Sequence, residues 1–227
     1  MRGSFQPAGR APLRIEDALI AQTTGLRVLI SSRYDRTQED RWRVNPQLQV
    51  SLLRHWQVGI SSRLANDDDR AGSRFVRLSV AHQLVVEKCW IPNVALSFAA
   101  DVPRGERSKG VDTRLKALLT KTVSHAPSKD RLHLNLAWVH NAEPLTDERN
   151  DYLRFAVGYS RNLRQQTVFV TDYSLEQRRS LGSVIHIAEF GLRQRLGQNT
   201  VFSIGVGAEA TEAAGDLRAS LGLEYSF

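Results

Sequence analysis

Apolar and polar residues trade places at every second position through most of this chain. Leu132, Leu134, Leu136 and Trp138 alternate with His133, Asn135, Ala137 and Val139. Leu153, Phe155, Val157 and Tyr159 alternate with Arg154, Ala156, Gly158 and Ser160. The tail repeats the pattern, with Leu217, Ala219, Leu221, Leu223, Tyr225 and Phe227 set against Arg218, Ser220, Gly222, Glu224 and Ser226. Successive side chains of a strand point to opposite faces, so a period of two predicts strands, and helices do not produce it. Residues 24–34, 42–51, 56–64, 76–81, 94–102, 111–124, 165–175, 181–191 and 199–210 read the same way, which makes twelve strands. Segments such as 65–73, 103–110 and 141–150 lie between them and carry the Asp, Asn, Gly and Pro of turns. Residues 13–22 predict a short helix, with Asp17 and Ile20 on a brief amphipathic turn.

Two-faced strands build a soluble sandwich, a soluble barrel or a membrane barrel, and three features favour the last. The strands run near ten residues, the length of a tilted strand across hydrocarbon, whereas soluble strands average five or six. The polar face carries Arg43, Arg63, Arg77, Arg114, Lys116, Arg154 and Arg218, opposed by Asp101, Asp112 and Glu224. In a membrane barrel such a face lines a wet lumen while the apolar face meets lipid. Register is then strongly specified, because a slip of one residue would put Arg154 or Arg218 into lipid at about 2–4 kcal/mol each near the midplane. Finally, the chain ends on an alternating strand whose last residues, Tyr225 and Phe227, have the form of an outer-membrane assembly signal. Trp42, Trp56, Trp90, Tyr152, Tyr173 and Tyr225 fall near strand ends, where interfacial aromatic girdles sit.

Composition agrees once averages are set aside. The 227 residues are 41% hydrophobic and 24% charged, with a mean hydropathy of −0.34, which excludes a disordered chain. The longest run without a formal charge, residues 196–208, is 13 residues against the roughly 20 of a spanning helix. A transmembrane helix is therefore excluded, and a barrel is not. The expected architecture is all-β: a closed antiparallel transmembrane β-barrel of about 12 strands over residues 24–227. Residues 1–23 read as a vector-derived start and an N-terminal segment, a short helix or a plug. Met1-Arg2-Gly3-Ser4 lacks the apolar core of a signal peptide, so export to a bacterial outer membrane implies a leader already removed.

The net charge of +7 invites a nucleic-acid partner, but the basic residues, mostly Arg, are scattered singly and no phosphate-tracking run forms. Cys89 is the single cysteine, so neither a disulfide framework nor a multi-cysteine metal site is available. The six histidines show no metal-ligand spacing, and no compact Ser-His cluster marks a hydrolase, so neither catalysis, cofactor nor metal is expected. His133 reads as a hydrogen-bonding residue of the lumen.

The run Phe98-Ala99-Ala100-Asp101-Val102-Pro103-Arg104-Gly105-Glu106, a strand entering a Pro-x-Gly turn, is followed by Gly110-Val111-Asp112 and then Leu132-His133-Leu134-Asn135-Leu136. With Tyr159-Ser160 and the closing Gly222-Leu223-Glu224-Tyr225-Ser226-Phe227, this order resembles the outer-membrane transporters named for the MetA pathway of phenol degradation, from about residue 42 to the end. The resemblance implies a Gram-negative outer-membrane barrel passing small organic compounds, with no catalytic motif to carry over.

The expected function is passive passage of small polar, anionic or aromatic solutes. Arg63, Arg77, Arg114, Lys116, Arg154 and Arg218, with Asp101, Asp112 and Glu224, would line the lumen and set its charge preference. The alternatives are a barrel plugged by pairing of those same charges, acting as a structural or surface-interaction protein, and a lipid-acting hydrolase. Expected partners are outer-membrane lipids, the barrel-assembly machinery reading the C-terminal strand, and a small-molecule solute bound by a monomer.

Overall fold

In the computed structural model twelve antiparallel strands close into one barrel. They are β1 (Gly25–Arg36), β2 (Arg41–Leu53), β3 (Trp56–Ala65), β4 (Phe75–Val85), β5 (Asn93–Pro103) and β6 (Asp112–Thr122), followed by β7 (Arg131–His140), β8 (Asp151–Arg164), β9 (Thr167–Gln177), β10 (Val184–Arg195), β11 (Thr200–Ala210) and β12 (Gly215–Ser226). The structure describes residues 15–20, 24–36, 40–65, 75–103, 110–124, 128–146, 148–177, 184–210 and 215–227. Each strand pairs with its neighbours in sequence, and β1 pairs with β12 from Arg27↔Ser226 to Arg36↔Leu217. Closure leaves no strand edge unpaired, which a membrane interior requires of a sheet.

Burial decides which face is which. Along β7, Leu132, Leu134, Leu136 and Trp138 are exposed while His133, Asn135, Ala137 and Val139 are buried. On β12 Leu217, Leu221, Leu223 and Tyr225 are exposed while Arg218, Ser220 and Glu224 are buried. A water-soluble barrel would have the reverse order. With carboxylates and guanidiniums inside and a leucine-rich wall outside, lipid is the solvent that this outer surface fits.

Strands of 10 to 14 residues match the span of a tilted strand through hydrocarbon. Connections 54–55, 86–92, 123–130, 165–166 and 196–199 lie at one end, with the start of β1 and the end of β12. The strand ends that 37–40, 66–74, 104–111, 141–150, 178–183 and 211–214 join in sequence lie at the other end. The two longest connections in sequence, 141–150 and 66–74, join strands at this second end, and membrane barrels show such a difference in connection length between their two sides.

Outward aromatics form a belt at each end. Trp56, Trp90, Tyr225 and Phe227 stand at the short-turn end, and Trp42, Trp138 and Tyr173 toward the long-loop end. Tyr152 departs from the expected girdle: its position on β8 has the parity of Arg154, so it faces the lumen and is buried there. The helix expected over 13–22 is not formed in its described part, residues 15–20, which runs without helical hydrogen bonding through the inside of the barrel.

Candidate functional site: the charged lumen

Strand parity gathers the inward charges into two groups on opposite walls. The first lies on β3 to β9, toward the long-loop end. Arg63, Arg77, Arg114, Lys116 and Arg154 project there with Asp101 and Glu176. Register brings Arg77 opposite Asp101 and Arg154 opposite Glu176. Arg77 grips Asp101 with both arms of its guanidinium, Nε donating at 2.5 Å and Nη2 at 2.7 Å. Arg114 approaches the same carboxylate at 3.5 Å, and Arg154 reaches Glu176 at 3.7 Å.

Arg63 forms no ion pair among the described residues. Its guanidinium lies 4.7 Å from the centre of the Phe75 ring, as does that of Arg77, and Arg154 sits 5.4 Å from the Tyr152 ring. The two inward aromatics thus hold arginines through their π faces, which positions cations without neutralising them. The wall keeps an excess of positive charge.

On the opposite wall, formed by β1, β2 and β10 to β12, five arginines share four carboxylates among the described residues, and each arginine has an acidic partner. Arg218 reaches Asp35 at 3.1 Å and also pairs with Glu209, while Arg43 reaches Asp35 at 2.9 Å. Arg33 pairs with Glu189 at 3.4 Å; Glu224 takes Arg27 at 3.1 Å and Arg193 at 3.3 Å. Of the residues read from the sequence as lining, Arg63, Arg77, Arg114, Lys116, Arg154 and Asp101 come together. Arg218 and Glu224 belong to the opposite wall, and Asp112 stands at the rim, accepting a hydrogen bond from the Ala142 amide at 3.2 Å. Glu176 and Phe75, which the sequence pattern does not single out, and Tyr152, expected in the girdle, complete the basic wall. Their inward parity is visible in sequence, but which charges face one another depends on register.

A segment of the N-terminus occupies the lumen beneath this wall. Ile15 packs among Ala156, Val168 and Val170, and its amide donates to Asp172 at 3.3 Å. Glu16 pairs with Lys116, and Asp17 accepts from Arg131 at 3.2 Å. The Asn135 amide, in the orientation that satisfies both partners, accepts from the Glu16 amide at 2.6 Å and donates to its carbonyl at 3.1 Å. The Ala18 amide donates to Thr120 Oγ1 at 3.0 Å, and Ala18 and Ile20 pack with Ala81, Ala95 and Leu118. Residues 15–20 therefore touch walls from β4 round to β10's neighbour β9. An open cavity of about 190 Å³ remains above them, lined by Glu16, Arg77, Arg114, Lys116, Arg154 and Glu176 among others.

His133 lies below the cavity, its Nδ1 3.0 Å from Thr120 Oγ1 and its Nε2 2.9 Å from Ser160 Oγ. The serine and histidine have the spacing of a nucleophile and base, but the third position is a hydroxyl, which lacks the charge that stabilises an imidazolium. Ser160 is also buried in the lumen, on the face opposite to lipid. The set serves as a cross-strand tie joining β6, β7 and β8 to the segment at Ala18.

The fold has solved counterparts. The NanC porin superposes with a TM-score of 0.68 at 9% identity, covering 87% of this chain and 98% of that one. The KdgM porin gives 0.59 at 11% identity, over 88% and 99%. The CymD monoaromatic hydrocarbon channel gives 0.50 at 8% identity, over 89% and 88%. No protein-family model matches the sequence, and no curated protein matches it. What these likenesses establish is architecture: the chain has the twelve-stranded fold of outer-membrane porins and channels.

Proposed function

We propose that this protein is an outer-membrane channel giving passive passage to small anionic solutes. The observation that carries the reading is the unequal lumen: on one wall five arginines share four carboxylates, while the other sets Arg63, Arg77, Arg114, Lys116 and Arg154 against Asp101, Glu176 and Glu16 alone among the described residues. Cations in a low-dielectric constriction concentrate anions and raise their entry rate. Arg63 and Arg154 carry most of the preference, because Arg77 is committed to Asp101 in bidentate geometry. Twelve strands lie between the eight-stranded barrels filled by side chains and the wide sixteen-stranded porins, which suits a narrow path for small molecules. The neighbours named as porins and as a hydrocarbon channel support transport over catalysis. Membership of the transporters named for the MetA pathway of phenol degradation belongs to the same proposal and rests on the motifs between residues 98 and 136.

A liposome-swelling assay tests it. Vesicles containing the barrel should swell faster in a small organic anion than in a cation of equal size, and Arg63→Gln with Arg154→Gln should narrow the difference. Equal rates for both solutes would contradict the reading.

A further inference from the structure

We infer that the cavity between Arg77, Arg114, Lys116 and Arg154 is a binding site for a small carboxylate-bearing solute, with Glu16 as the resident carboxylate that the solute displaces. The inference rests on the proposed channel function and names its ligand chemistry and its internal competitor.

The cavity is bounded on its floor by Glu16 and on its walls by four cations from β4, β6 and β8. Its fixed acids are already engaged from the wall. Asp101 holds Arg77 and Arg114 from β5, and Glu176 stands beside Arg154 from β9. Glu16 differs in kind, because it belongs to the segment laid into the lumen rather than to the barrel wall. Its carboxylate pairs with Lys116, a residue without a wall carboxylate opposite it in the strand register, where Ser97 and Ala137 are its neighbours. An incoming carboxylate offers Lys116 the same charge and the same two oxygens.

The segment is seated independently of this contact. Ile15 holds it through apolar packing, Asp17 through Arg131, and Ala18 and Ile20 through Thr120 and the cluster at Ala81, Ala95 and Leu118. The Glu16 side chain can therefore yield Lys116 while the backbone stays in place: Lys116 keeps an anionic partner throughout, and the displaced Glu16 carboxylate turns into the water of the open cavity it lines. That condition matters, since leaving one partner of a buried pair alone is the expensive event. Guanidinium forks at Arg114 and Arg154, each at 3.5 Å or more from its wall acid, supply the planar donors that recognise a carboxylate.

Titration calorimetry with glutarate on the full-length barrel in detergent tests this. Glu16→Gln keeps the shape of the floor and removes the competitor, so it should bind glutarate about tenfold more tightly than the unaltered protein. Asp17→Asn loosens the same segment away from the cavity and should leave the affinity unchanged. Lys116→Gln should weaken binding, which gives an independent arm if the Glu16 variant does not fold to a heat-modifiable barrel. Equal affinity for Glu16→Gln and the unaltered protein, an equal gain from Asp17→Asn, or no glutarate heat in any variant would overturn the inference. Calorimetry does not depend on conductance. Anion passage without an effect of Glu16 sinks this inference alone, and tight glutarate binding without anion selectivity sinks the channel reading alone.

Discussion

Asp35 and Arg218 face each other across the β1–β12 seam, and the guanidinium Nε lies 3.1 Å from the carboxylate. The two residues are 183 positions apart in the chain, and only closure of the barrel brings them together. Both are buried, and Arg43 and Glu209 extend the pair on either side. The seam between first and last strands is thus locked by charge on its inner face.

Replacing Arg218 with Ala should weaken that lock. Glu209 loses Arg218, and among the described residues Asp35 retains Arg43, so the barrel should lose about 3 kcal/mol, the low end for breaking a buried pair. Urea unfolding in lipid vesicles measures it. The barrel should also lose its compact, unheated gel form at a lower temperature.

The outward face predicts the opposite sensitivity. Leu134 is at mid-strand on β7 and faces out, next to the inward Asn135. Leu134→Arg should cost about 2–4 kcal/mol, the range for an arginine facing lipid near the midplane. A cost near zero in the same unfolding experiment would mean that this face meets water.

Gly158 tests the seating of the N-terminal segment. A Cβ at this position would fall 2.8 Å from Ile15 Cγ1, closer than real Cβ contacts come, and 3.0 Å from the Thr171 carbonyl oxygen, which is tight. Gly158→Ala should unseat Ile15, so that added protease cleaves the chain before residue 24 several-fold faster while the barrel still migrates as folded. Unchanged cleavage would mean that Ile15 is not held at this wall.

Acid should act on the turn between β4 and β5. Burial raises the Glu87 pKa, but hydrogen bonds from Lys121 Nζ (2.9 Å), the Thr122 amide (2.8 Å) and the Thr122 hydroxyl (2.9 Å) outweigh it and hold the carboxyl below its ordinary value. The unfolded chain then binds the proton more readily, so this contribution is fully present above the unfolded pKa and is lost as pH falls through the folded one. Glu87→Gln should therefore be less stable than the unaltered protein at neutral pH. The two unfolding curves should converge below the carboxylate range.

Much of this architecture is legible in sequence because membrane barrels obey a local rule. The alternation at 132–139 and 217–227 predicts strands and faces without any knowledge of neighbours, and Arg63, Arg77, Arg114 and Arg154 fall on the inner face by parity alone. Which charges meet is a different matter. Arg218 finds Asp35 through closure and Glu209 across the β11–β12 hairpin, and neither partner could be named from the pattern, because register and circumference decide partners. The proximity of Tyr152 to a strand end says nothing about its face, whereas its parity with Arg154 does. Residues 15–20 were the least legible. Their short amphipathic pattern suits a helix locally, but the lumen offers Asn135 and Thr120 to their backbone and apolar seats to Ile15 and Ile20, and these tertiary contacts prevail.

The most direct test of the central claim is the zero-current potential of single barrels in a planar bilayer under a salt gradient. An anion-selective potential that moves toward zero in the Arg63→Gln, Arg154→Gln double variant is the predicted result. A cation-selective potential, or no conductance from correctly folded protein, would contradict a lumen whose basic wall governs passage.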